Sequence, residues 1–191
     1  MPLSECHARI ARVSNVLVVR GILCDRTGES VSTPAQRLMD LRQKYPGMAP
    51  REVVIFQQWQ REHGNEYDRF EYNVRIGNGT DPGEQYSRAD RDMYIANTQK
   101  RIDAVGWKGR QPTIIEVKDR ATASCMSQLI TYSALWPVTF PSTPTPVLLL
   151  VTNRFSADMQ LVLDRAGIKW NLVEADFSVL SNKPQTPQVQ Q

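Results

Sequence analysis

Residues 101–136 read RIDAVGWKGRQPTIIEVKDRATASCMSQLITYSALW, and the fold turns on this stretch. Arg101 to Trp107 predicts a strand, Lys108 to Pro112 with its glycine a hairpin loop, and Thr113 to Lys118 a second strand. Ala123 to Trp136 carries Met126, Leu129, Ile130, Ser133 and Ala134 at helical spacing, and Trp136-Pro137 is expected to stop that helix. Side chains alternate across a strand, so Glu116 and Lys118 share one face while Ile115 and Val117 take the core-facing side. The preceding strand repeats the pattern: Ile102 and Ala104 can face the core while Asp103 turns away. A tight hairpin makes the two strands neighbours, and Asp103 and Glu116 can then converge. Gln128 and Tyr132 are four residues apart and lie on one helix face.

Two carboxylates and little else is how proteins commonly hold Mg²⁺, which keeps several waters and accepts substrate phosphate oxygens as further ligands. Asp103 and Glu116 are the candidate metal ligands, and the backbone carbonyl of Val117 could add a third. The metal would polarise a phosphate and lower the pKa of a bound water. Lys118 would sit beside that water or the scissile phosphate and stabilise the negative charge that builds up there. Gln128 and Tyr132 are suited to orienting Lys118 or a phosphate. Glu62, near the end of the preceding helix, could supply another carboxylate, with Glu66 and Glu71 as rivals.

RIDAVGWKGRQPTIIEVKDRATASCMSQLITYSAL resembles the core of the PD-(D/E)xK nuclease superfamily, and most of all its members with a Gln-x-x-x-Tyr helix, as in the nuclease domains of recombinational-repair helicase–nucleases. By element order the resemblance covers about Ala49 to Val173. The proline of the family name is absent, since Ile102 precedes Asp103. The resemblance implies a restriction-endonuclease-like α/β fold of three layers, with a central mixed sheet flanked by helices. It also implies a DNA endonuclease or exonuclease that depends on Mg²⁺, with Mn²⁺ as substitute. Asp103 and Glu116 match the metal ligands, Lys118 the catalytic lysine, and Gln128 and Tyr132 the supporting helix.

Outward from the motif, Phe70 to Ile76 alternates like a half-buried strand. Gly77 to Arg88 is a Gly/Asp/Asn/Pro loop, and Arg88 to Gln99 reads equally as a short helix or an ordered excursion. Arg51 to His63 predicts a helix with Gly64 at its C-terminal cap. Val147 to Thr152 (VLLLVT) is the apolar run of a strand covered on both faces. Ser156 to Ala166 predicts an amphipathic helix closed by Gly167, and Ile168 to Val173 a last strand. Asn15 to Leu23 predicts one strand, and Thr33-Pro34 opens a helix to about Tyr45. The expected domains are an N-terminal extension (1–48) packed on the core, a nuclease-like domain (49–180) and a flexible Pro/Gln-rich tail (181–191).

A chain of 191 residues, 41% hydrophobic, can bury one domain core. Its net charge of +3 permits nucleic-acid binding without demanding it. Arg88, Arg91, Lys100 and Arg101 flank the loop before Asp103 and are the candidate phosphate contacts. Three scattered cysteines argue against a disulfide framework and a structural zinc site. No run reaches the ~18 apolar residues of a membrane span, so the expected setting is cytoplasmic, with DNA as partner.

The ordinary alternative is a solvated sheet face with a cross-strand ion pair, which contributes little. A second functional class is a structural or assembly protein that keeps a nuclease fold. The extension and tail would then be docking arms, as in a phage or mobile-element virion or DNA-packaging component. A third is a DNA-binding regulator without cleavage, although no helix-turn-helix pattern is present.

Overall fold

The computed structural model describes residues 12–13, 16–19, 22–24, 39–40 and 43–180. The chain divides into two compact units, the larger running from Leu41 to Ser181. In the smaller unit, β1 (Arg12–Val13), β2 (Val16–Val19) and β3 (Ile22–Cys24) form an antiparallel sheet in that order. The single strand expected over 15–23 is therefore two, since Val19 pairs with Ile22. Of the helix expected from Thr33 to about Tyr45, residues 39, 40, 43 and 44 are helical and Tyr45 is a bend; the rest lies outside the described residues, as does the tail beyond Leu180. Leu41 to Met48, assigned above to the extension, belongs to the larger unit, where Tyr45 and Met48 are buried in its core.

The larger unit is α/β. Its elements are α1 (Pro50–His63), β4 (Arg69–Ile76), α2 (Arg88–Thr98), β5 (Lys100–Lys108), β6 (Gln111–Lys118), α3 (Ala123–Thr139), β7 (Val147–Thr152), α4 (Ala157–Arg165) and β8 (Lys169–Leu172). The five strands form one mixed sheet in sequence order. β4, β5 and β6 are antiparallel neighbours, whereas β6, β7 and β8 run parallel. Local chemistry sets most boundaries. Gly109, at φ 57°, turns β5 into β6. Ser87 and Ser156 cap α2 and α4 by accepting from the backbone N–H of Asp90 and Met159.

Pro137 does not end α3, as expected above; the helix runs one further turn to Thr139. Its missing N–H removes a single bond at the helix end, and the turn is held from elsewhere. Trp136 is buried, its indole N–H donates to Thr143 Oγ1 at 2.7 Å, and the Phe140 N–H donates to the Trp136 carbonyl at 2.8 Å.

Two cores sandwich the sheet. Ile114, Val105 and Trp107 meet Cys125, Leu129 and Trp136 of α3 and Leu163 of α4 on one face. Ile115, Val117 and Leu149 meet Val53, Phe56 and Trp59 of α1 on the other. Topology explains the division: β6-α3-β7 and β7-α4-β8 are successive parallel crossovers that step the same way across the sheet. A constant hand puts both helices on one face, leaving the other to α1. Each large side chain so buried contributes about 1.5–3 kcal/mol to the stability of the sheet that carries the site.

Candidate active site

The candidate site forms where β5 and β6 part. Their pairing stops at Ala104↔Ile115, although the register would place Asp103 opposite Glu116. β5 meanwhile continues along β4 through Ile102, Arg101 and Lys100. Ile102 lies in the α3-side core and Ala104 in the α1-side core, so the strand turns over at Asp103. This differs from the expected common face. Across from Asp103, Asn73 adopts φ 53°, and its neighbours Tyr72 and Val74 also fall on opposite faces. Asparagine tolerates this left-handed geometry, so β4 and β5 can swivel together away from β6.

Asp103 closes the fork. Its Oδ2 accepts the Val117 N–H at 3.0 Å, a donor that a paired β5 would have taken. The N–H and C=O of one strand residue point to the same side, so the Val117 carbonyl also faces the fork. Lys118 reaches in beside it. Its Nζ lies 2.9 Å from Glu52, 3.0 Å from Glu116 and 3.7 Å from Asp103. The side chain of Glu116 is only 1% exposed and that of Asp103 13%. A solvated cross-strand pair does not describe this burial.

Glu52 is the residue that the sequence did not single out. It sits in the first turn of α1, and its Oε2 also accepts the Ala49 N–H at 2.8 Å. Glu62, expected from the same helix, lies ten residues further on, about 15 Å away along the axis. It is exposed and bonded to Gln58 at 2.5 Å. Glu66 pairs with His63 and Glu71 with Arg69, so neither rival joins Lys118. The signal available was direction: α1 presents its N-terminus, not its C-terminus, to the end of β6.

Electrostatics follow from burial. Desolvation, reinforced by the charge of Asp103, pushes the Glu116 carboxyl up to about 8. Asp103 is also raised, by burial, with Lys118 opposing. Burial works against the charge on Lys118, but Asp103, Glu116 and Glu52 outweigh it and hold the ammonium proton more tightly than usual. Lys118 is thus a fixed cation and hydrogen-bond donor, and neither a base nor a ready acid.

Among the described residues, no three His, Cys, Asp or Glu side chains form a ready metal-holding group. The carboxylates instead surround an ammonium. The donor set nevertheless fits a hard divalent cation, because it offers only oxygens. Both Glu116 oxygens are buried without a hydrogen-bond partner, although Oε1 stands within ion-pair range of Lys118. Once ionised, a carboxylate so buried needs positive charge beside it, which Lys118 supplies at Oε1.

Gln128 and Tyr132 meet, but neither is bonded to Lys118. Gln128 Nε2 donates to the Tyr132 hydroxyl at 3.2 Å, and that hydroxyl donates to the Arg101 carbonyl at 2.8 Å. The pair therefore pins the diverging end of β5 to α3. Burial, with Glu116 nearby, raises the Tyr132 hydroxyl to about 12, so it stays a donor.

Lys100 and Arg101 are exposed at the same end of the sheet, whereas Arg88 is exposed at the start of α2 with only a loose 3.9 Å contact to Asp92. Arg91 is instead bound to Asp81 through two guanidinium nitrogens, bracing the loop before α2. Cys125 is buried, and its thiol donates to the Thr122 carbonyl at 2.8 Å.

A cavity of about 610 Å³ lies at the opposite end, where β6, β7 and β8 begin; Glu66 lines it, but Glu52, Asp103, Glu116 and Lys118 do not. Its polar groups are paired with one another: His63 with Glu66, Trp59 with Asn171, Trp170 with Asp164. The unpaired buried carboxylate oxygens lie in the fork and not in this cavity. No helix among the described residues is long and apolar enough to cross a membrane. No family model matches the chain, and no curated protein or solved structure matches it.

Proposed function

We propose that the chain is a metal-dependent deoxyribonuclease of the PD-(D/E)xK type, with a restriction-endonuclease-like fold, that hydrolyses phosphodiester bonds. One observation carries this: Asp103, Glu116 and Lys118 meet at the fork of β5 and β6, with Glu116 buried and Lys118 Nζ 3.0 Å from its Oε1. The antiparallel β4-β5-β6 unit continued by parallel β7, with helices on both faces, supports the same reading.

Asp103, Glu116 and the Val117 carbonyl are the groups that would hold Mg²⁺, or Mn²⁺ in its place, which when bound supplies charge neutralisation and water activation. The protein does the rest. Asp103 is held by the Val117 N–H and cannot swing away from the fork. Lys118, steered by Glu52, presents its ammonium to the charge that builds on the phosphate. Tyr132 and Gln128 keep Arg101 and the start of β5 in place. Arg88, Lys100 and Arg101 receive neighbouring phosphates.

The test is cleavage of supercoiled, linear and single-stranded DNA with Mg²⁺ or Mn²⁺, by wild type, Lys118→Ala and Asp103→Ala. Metal-dependent cutting that both substitutions abolish is the expected result. Well-folded wild type that cuts nothing would sink the proposal in favour of an assembly role for the same fold.

A further inference from the structure

A second cluster of charge lies beside the fork, built from the residues next to the site. Asp119 is the first residue past β6, Arg51 precedes Glu52 on α1, and Arg154 lies just past Thr152, the β7 residue in register with Lys118. Asp119 Oδ2 accepts from Arg51 Nε at 3.1 Å and from Arg154 Nη2 at 2.9 Å, while Oδ1 accepts from Arg51 Nη2 at 3.3 Å. The Asp119 side chain is 27% exposed, against 48% for Arg51 and 55% for Arg154. The carboxylate therefore lies beneath, with two guanidiniums above it and one positive charge in surplus. Arg51 is fixed in plane as well, because its guanidinium lies over the Phe177 ring, 3.7 Å from the centroid. With one edge on Asp119 and one face on Phe177, Arg51 keeps Nη1 directed elsewhere.

We propose that Arg51 and Arg154, mounted on Asp119, form a second phosphate-binding wall for DNA, on the β7 side of the fork and opposite Lys100 and Arg101. The inference rests on the nuclease reading above. A planar guanidinium whose geometry is already fixed binds phosphate oxygens in forked pairs and loses little freedom on doing so. Position adds to this. Neighbouring strands are about 4.8 Å apart, so the β5 and β7 sides are each one strand from Lys118. A backbone lying across the strand ends would meet positive charge before and after the scissile phosphate. The competing role for the cluster is a structural clamp that ties α1 to the ends of β6 and β7.

Binding of a fluorescent duplex oligonucleotide to the full chain, measured by anisotropy across a salt series with Ca²⁺ present, separates the two. Every B-DNA phosphate that the protein no longer neutralises lowers the slope of log K against log salt by about 0.9. Arg51→Gln and Arg154→Gln should each show that drop and bind about tenfold more weakly at low salt. Arg154→Lys should keep the slope, and Asp119→Asn should keep or steepen it. A structural clamp gives the reverse pattern: all three neutral substitutions lower the melting temperature alike and leave the slope at its wild-type value. That result overturns the proposal while leaving the nuclease reading intact. Wild type that neither binds nor cleaves DNA overturns both.

Discussion

Replacing Glu116 by Gln should make the metal-free protein more stable, and more so as pH rises. The buried carboxyl holds its proton up to about 8, against 4.5 for the ordinary group. Protonated, it costs little; ionised, it adds a third negative charge beside Asp103 and Glu52. The folded state thus binds more protons than the unfolded state between these two values. Stability from this group is complete below pH 4.5 and falls as pH rises towards 8. Each pH unit in that window is worth at most about 1.4 kcal/mol, so the loss by neutral pH is on the order of 3 kcal/mol if the whole shift is realised. For a domain of this size, 1 kcal/mol moves the melting temperature by about 2–4 °C. Glutamine keeps the shape and cannot ionise. Melting curves in EDTA at pH 5, 7 and 8.5 should show the wild type losing several degrees relative to Glu116→Gln. Groups remote from the fork cancel in the difference, whereas Asp103, which senses the charge of Glu116, moves with it and belongs to the same effect. Mg²⁺ should then raise the wild type at pH 8.5 and leave the variant in place. Parallel pH profiles, with no divergence between pH 5 and 8.5, would show that Glu116 is an ordinary ionised carboxylate and refute the electrostatic account of the fork.

Lys118→Met should abolish cleavage, by a factor of at least ~100. It should also destabilise the metal-free protein, because removing one partner leaves the carboxylates uncompensated; Ca²⁺ titration followed by melting should restore most of that loss. Glu52→Gln frees the Lys118 ammonium from its shortest contact, 2.9 Å, and should lower the cleavage rate more than substrate affinity, whereas Glu62→Gln should change neither. Tyr132→Phe removes the hydroxyl that satisfies the Arg101 carbonyl and should cost about 1–2 kcal/mol in urea unfolding. Asn73→Val places a β-branched residue at φ 53° and should lower the melting temperature, while Asn73→Gly should be tolerated.

The sheet was legible because its signals are local. Alternation along Thr113–Lys118, the Gly109 turn and the unbroken apolar run of β7 each fix one element without tertiary help. Asp103, Glu116 and Lys118 could be picked out for the same reason: their spacing in two adjoining strands forces proximity. Glu52 was missed because its place depends on which end of α1 meets the sheet, and helical periodicity is blind to direction. The inversion at Asp103 was also hidden. Ile102 and Ala104 look equivalent in a period-two pattern, and only the left-handed Asn73 on the neighbouring strand reveals the swivel. Pro137 misled because a proline removes a bond wherever it sits, yet in a last turn anchored by Trp136 that loss is tolerated. The Gln128–Tyr132 pair was recognised, but its target was not: a hydroxyl reaching a backbone carbonyl 31 residues away leaves no trace in spacing.

The charge balance of the fork narrows what it can do alone. Three carboxylates face one ammonium, so even with Glu116 protonated the cluster carries no positive surplus. A phosphodiester is itself an anion, and in a site this buried repulsion between like charges is poorly screened. The arginines on either flank would attract a backbone, but they lie outside the fork and cannot cancel the field at its centre. The scissile phosphate can therefore reach Lys118 only if further positive charge enters among Asp103, Glu116 and the Val117 carbonyl. Divalent cation and DNA should then bind as a linked pair, each tightening the other by the same factor. DNA held at the fork equally well in EDTA and in Ca²⁺, as read by crosslinking from a photoreactive group at the Lys118 end of β6, would mean that the cluster is a structural ion network and that cleavage is not its purpose.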